Sequence, residues 1–145
     1  MSKLIATRVA QYPLLSEFTF NFDDTMANTS GTVVDFGLTN FSATTFDIIN
    51  LPEGAVIIGG EVIVNTAYAD CATATLSLGD SGSATRYASA VDCKSAARTA
   101  LTLTGYSTSA NLRATVTVAD SASAGKVTVR VEYVLPNRQN EIIPN

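Results

Sequence analysis

Residues 79–87 read GDSGSATRY. A serine between aspartate and glycine could be a nucleophile for acyl transfer, the role these four letters, Gly79-Asp80-Ser81-Gly82, have in serine proteases. That chemistry needs more than the hydroxyl, because serine attacks only when an adjacent base takes its proton. The chain contains no histidine. Lysine replaces histidine in Ser-Lys hydrolases, but the nearest lysine, Lys94, lies in a different segment. Ser83 also stands where the protease pattern has a further glycine. Gly, Asp and Ser are the residues that tight turns select on steric grounds, so GDSG reads as a turn.

Other reactive constellations are equally thin. Cys71 and Cys93 are the two cysteines, too few for a zinc site that takes four ligands, with no imidazole to complete it. They flank the GDSG turn, and a hairpin pairing 71–78 with 84–91 would bring the two sulfurs near one another. A disulfide between Cys71 and Cys93 could then form outside the cell, while a reduced pair is the cytosolic default. Asp23-Asp24 offers two carboxylates, but DDTMANTSG lacks the spaced acidic ligands and closing glutamate of a calcium loop. Carboxylates for glycoside hydrolysis converge only in space, and with no Trp and 8% aromatic residues a sugar-stacking platform is poorly supplied. There is no phosphate-cradling glycine loop with its lysine. The expectation is a protein that is not an enzyme and takes no cofactor; binding or building is left.

The chain has 145 residues, 46% hydrophobic and 15% charged, which suits one folded domain with its own core. Ala, Ser and Thr make up about a third of it, and small or β-branched residues suit flat, closely packed sheets. A net charge of −4 argues against nucleic acid as a partner, which needs a concentrated basic face. Acidic residues dominate up to Asp80, and most Lys and Arg follow it. Either a sandwich interleaves the two halves and cancels the asymmetry, or acidic and basic faces assemble copies side by side. No signal h-region is visible at MSKLIATRVAQYPLL, and the longest apolar stretch, 55–64, is broken by Gly59, Gly60 and Glu61. Synthesis in a cytoplasm and no membrane partner are therefore expected.

The elements that would position these residues are strands. LLSEFTFNF alternates, with Phe18, Phe20 and Phe22 on one face; DDTMANTSG follows as a polar loop. TTFDIINL (44–51) leads into the turn Pro52-Glu53-Gly54. AVIIGGEVIVNTA is β-rich on both sides of Gly59-Gly60, which marks either a bulge or a hairpin turn. CATATLSLG alternates with Ala74, Leu76 and Leu78 together. ASAVDCKSAARTA (88–100) could form a short helix on propensity. LRATVTV (112–118) and KVTVRVEYV (126–134) alternate strictly and, joined by ADSASAG, read as a hairpin; Val127, Val129, Val131 and Tyr133 would face the core. About eight strands separated by Gly, Ser, Asp and Pro turns predict an all-β fold. This is a single β-sandwich, jelly-roll or Greek-key-like, over 14–134, with extended arms at 1–13 and 135–145.

Four blocks carry a resemblance: LPEGAVIIGGEVIV (51–64), ATLSLGDSGSATRY (74–87), KSAARTAL with GY (94–106), and AGKVTVRVEYV followed by RQNE (124–141). In their order and spacing they resemble the small decoration or cement proteins, head-fibre-like, of tailed-bacteriophage capsids. The resemblance implies a sandwich on the outer surface of the virion that binds the phage major capsid protein and bridges neighbouring subunits. It implies a homo-oligomer on a symmetry axis, a dimer favoured over a trimer. Interaction residues expected are Tyr12, Asp80, Arg86, Tyr87, Arg138 and Glu141, Arg and Tyr being enriched in interface hot spots, with a core position in the hairpin the equal alternative for Tyr87. The alternative is a receptor- or carbohydrate-binding module of a phage fibre or tail.

Overall fold

A computed structural model describes residues 12–39, 41–103 and 111–135. The chain runs through β1 (Leu14–Asn21), β2 (Thr25–Ala27), β3 (Val33–Asp35), β4 (Phe41–Ile49) and β5 (Val56–Ala69). It continues through β6 (Thr73–Gly79), β7 (Ala88–Asp92), β8 (Ala97–Ala100), β9 (Leu112–Ala119) and β10 (Ala124–Val134). Two four-stranded antiparallel sheets result, ordered β1-β10-β5-β8 and β4-β9-β6-β7, with β2 and β3 as a small separate pair. Leaving that pair aside, first pairs with last, and each inner pair nests inside: β1 with β10, β4 with β9, β5 with β8, β6 with β7. This is the strand order of a jelly roll, an all-β sandwich as the sequence predicts.

The alternating strands do what their period demands. Val127, Val129 and Val131 of β10 and Val62 and Val64 of β5 face Leu76 and Leu78 of β6 and Ala114 and Val116 of β9 in one buried cluster. An aromatic stack joins the layers. Phe36, just after β3, stacks on Phe20 of β1 and on Phe46 of β4, with ring centroids 4.3 Å apart in each case. Phe18 and Phe22 pack partly buried against the same cluster.

Four expectations need correction or resolution. The 88–100 segment is not helical: it forms β7 and β8, which belong to opposite sheets. Alanine-rich propensity loses there to open sheet edges on β6 and β5. Asp92 Oδ1 accepts the Lys94 amide at 2.9 Å where the chain turns from one sheet to the other. β9 and β10 do not form a hairpin. Each is a central strand of a different sheet, so the ADSASAG connection crosses between layers; alternation makes a strand but does not choose its partner. The DDTMANTSG loop contains β2, paired with β3 in the register Met26↔Val34. Finally, Gly59-Gly60 is a bulge inside one long strand: Glu132 faces Gly59 and Tyr133 faces Ile57, leaving Ile58 as the extra residue. Gly60 has φ 144°, and a side chain there would collide with the Arg130 carbonyl.

A second close approach ties the crossing loops to the core. Tyr68 is buried, its hydroxyl donates to the Phe36 carbonyl at 2.9 Å, and its ring lies where Cβ atoms on Gly37 and Gly125 would stand 2.7 and 2.6 Å away. Those two positions therefore take no side chain.

Candidate interaction surface

The GDSG turn is a braced structural element. Gly79 ends β6, and the Asp80 amide donates to the Ser83 carbonyl at 2.9 Å. The Asp80 carboxylate turns inward, 6% exposed, and accepts the amides of Gly82 at 2.8 Å and Ser83 at 3.0 Å. Arg86 closes the loop, its Nε 2.5 Å from Asp80 Oδ2. Burial alone would raise the Asp80 carboxyl, but Arg86 and the two amides outweigh it and hold the group below the usual carboxylate range. Ser81 is exposed, out on the turn.

This arrangement decides the fate of the expected contact residues. Asp80 is occupied within its own turn, and Tyr87 is 2% exposed, so neither presents a side chain to a partner in the isolated chain. Arg86 braces the turn. The Tyr87 hydroxyl is buried without a hydrogen-bond partner among the described residues; burial first, then the Asp80 charge, pushes its pKa up. Tyr12 is 75% exposed at the start of the sandwich. Arg138 and Glu141 lie outside the described residues, as do 1–11 and 136–145 of the expected arms. Cys71 and Cys93 are buried free thiols; burial, then the charge of Asp92, pushes the Cys93 thiol up to about 12.

The most organised polar surface is the outer face of the β1-β10-β5-β8 sheet, and sequence reading missed it. Glu17, Arg130 and Glu61 fall on one rung of three adjacent strands. Arg130 Nε donates to Glu17 Oε2 at 2.8 Å and its Nη1 to Glu61 Oε1 at 3.1 Å. Arg98 of β8, opposite Ile63 on the adjacent rung, reaches diagonally to the same carboxylate, with Nε 2.7 Å from Glu61 Oε2 and Nη2 2.8 Å from Oε1. The Arg98 fork holds the Glu61 carboxyl below its ordinary range against the opposing effect of burial. The neighbouring rung pairs Thr19 with Thr128 at 2.8 Å, and Thr128 donates diagonally to Asn65 at 2.8 Å. Gly60, Glu61, Arg98, Ala100, Arg130 and Glu132 frame a shallow depression. Leu15 and Ile58 stand exposed at the same end of the sheet.

The opposite outer face is made of hydroxyls. Thr45, Thr115 and Ser77 share a rung, with Thr45 and Thr115 joined at 3.0 Å, and Asp47 pairs Arg113 at 2.7 Å at one side. Early acids thus meet late bases across both sheets: Glu17 and Glu61 with Arg130, Glu61 with Arg98, Asp47 with Arg113. The sandwich interleaves the charge asymmetry of the sequence. The register that aligns these partners is a product of sheet order, and alternation in one strand carries no signal for it.

Three solved structures similar to this chain are of phage capsids. The chain is similar to a chain of the cyanophage Pam1 capsid asymmetric unit, at 27% identity and TM-score 0.58, over 93% of this chain and 94% of that one. Chains of the Helicobacter pylori bacteriophage KHP30 capsid (17%, TM-score 0.57, 89% and 92% covered) and the Ralstonia phage GP4 capsid (14%, TM-score 0.58, 94% and 92%) share the fold. No protein-family model matches the chain, and no curated protein matches it in sequence.

Proposed function

We propose that this chain is a non-enzymatic structural protein of a phage virion that sits on the outer surface of the capsid and cements neighbouring major-capsid subunits. The observation that carries the reading is the end-to-end likeness to a component of the Pam1 capsid asymmetric unit at 27% identity. Physics makes the role coherent. Packed DNA pushes capsid subunits apart, and a protein that binds only the assembled lattice stabilises it by mass action. Such a protein needs rigid sheets, supplied here by the layered core and the braced turn, and segments that reach a neighbour. The arms at 1–13 and 135–145, Arg138 and Glu141 among them, are the candidates for strand addition to capsid subunits.

The test is reconstitution. Particles lacking the chain are mixed with the purified protein, and the temperature of DNA release is measured. Saturable binding with a rise in that temperature is expected, and deletion of residues 1–13 or 136–145 should remove binding while the sandwich, which keeps Leu135 in its core, stays folded. Saturation at a handful of copies, with no change in particle stability, would transfer the chain to a fibre or tail role.

A further inference from the structure

The two four-stranded sheets have four outer edges, β1, β8, β4 and β7, and three of them are blunted. β8 is four residues long. β7 bulges at Ala90, which has φ 47°, between the pairs Leu76↔Val91 and Leu78↔Ala88. β4 is broken by two register shifts, and its Thr45 carbonyl already accepts the Thr29 amide at 2.9 Å. β1 is different. It runs opposite β10 from Leu14 to Asn21 without a shift, and it contains neither proline nor lysine. Short strands, bulges, prolines and lysines are devices that keep an edge from pairing, and β1 has none of these four.

Its outward groups follow from the bonds at its end. The Phe22 amide, one step beyond β1, donates to the Gly125 carbonyl at 3.0 Å, so even-numbered positions bond to β10 and odd-numbered ones turn away from it. Asn21 agrees. Its amide donates to Asp24 Oδ2 at 2.7 Å and its carbonyl accepts the Asp24 amide at 3.2 Å, both within its own turn. The N–H and C=O groups of Leu15, Glu17 and Thr19 are left without a backbone partner among the described residues.

We propose that the outer edge of β1 receives an extended segment of another protein as a fifth strand of this sheet. The side chains along the edge define that segment. Glu17 ends the line Glu61–Arg130–Glu17 and gives only Oε2 to Arg130, so the next strand out carries arginine or lysine opposite it. Leu15 is exposed on the same face, so an apolar residue belongs beside it. An antiparallel strand with a cation facing Glu17, and an apolar residue two positions later facing Leu15, meets both demands. β10 shows that such a sequence pairs with β1, setting Thr128 on Thr19, Val129 on Phe18 and Arg130 on Glu17. The proposal concerns the receiving edge, and it holds or fails apart from the capsid reading and its arms.

The probe is a fluorescently labelled synthetic copy of residues 126–134 with leucine in place of its glutamate, and its binding to the full chain is followed by anisotropy. Leu15→Pro removes an outward N–H and no ladder bond, with thermal melting confirming that the variant is folded. Saturable binding is expected. Leu15→Pro should weaken it about tenfold or more, as should methylating the peptide amides that face β1. Glu17→Arg supplies a second check, on charge. The reversed edge should prefer a peptide with glutamate in place of its arginine, while the unaltered chain prefers the arginine. A peptide that does not bind, or binding that neither Leu15→Pro nor amide methylation weakens, overturns the proposal. So does a charge preference that Glu17→Arg leaves unchanged.

Discussion

Arg86 Nε stands 2.5 Å from Asp80 Oδ2, and the same carboxylate receives the amides of Gly82 and Ser83. The residues that imitate a nucleophile motif are thus consumed in closing a turn between β6 and β7. Arg86→Ala strips the carboxylate of its cation while leaving it buried, and should cost about 2–4 kcal/mol in urea unfolding. Ser81→Ala touches an exposed hydroxyl and should stay within about 0.5 kcal/mol, with no change in hydrolysis of a nitrophenyl ester above background.

Acid should unfold the protein through a few named carboxyls. Asp80, Asp35 and Glu61 all have depressed folded pKa values. For Asp35, burial opposes the shift, and the Thr39 amide and hydroxyl with the Gly37 amide overcome it. A depressed carboxyl contributes stability that is present above its unfolded pKa of about 4 and is lost as pH falls through the lower folded value. The melting temperature should therefore be flat near neutrality and drop below about pH 4. Asp80→Asn should lower the plateau and flatten the acid slope.

The alternating segments showed most of the fold in advance. Phe18, Phe20 and Phe22, Leu76 and Leu78, and Val127, Val129 and Val131 point inward as their spacing predicts. What misled was anything that depends on a partner far away in the chain. The 88–100 stretch has helical propensity but finds edge hydrogen bonds on two sheets, and β9 and β10 look like a hairpin because neighbouring alternating strands usually pair. The charge ladder was invisible for the same reason. Glu17 and Arg130 are 113 positions apart, and only the sheet order makes them neighbours. The GDSG turn was read correctly because turn chemistry is local.

The Phe20–Phe36–Phe46 stack is the joint between the layers. Phe36 is 1% exposed and comes from a connection, not a long strand. Phe36→Ala should cost about 3–5 kcal/mol, measured by chemical denaturation, whereas Phe18→Ala at the partly buried end of the array should cost less.

The thiols give a direct readout of core integrity. Cys71 and Cys93 are each 3% exposed, and a Cys93 thiol pushed up to about 12 carries almost no thiolate at neutral pH. A thiol-exchange reagent should react slowly with the native protein and release two equivalents per chain on unfolding. An unfolded chain that releases none would mean that the pair is bridged.

Copy number in the particle decides whether the chain has the structural role in the capsid shell proposed above. Quantitative mass spectrometry of purified particles gives the ratio of this chain to the major capsid protein. A ratio near one, or a simple fraction of the lattice, is expected. A few copies per particle would contradict it.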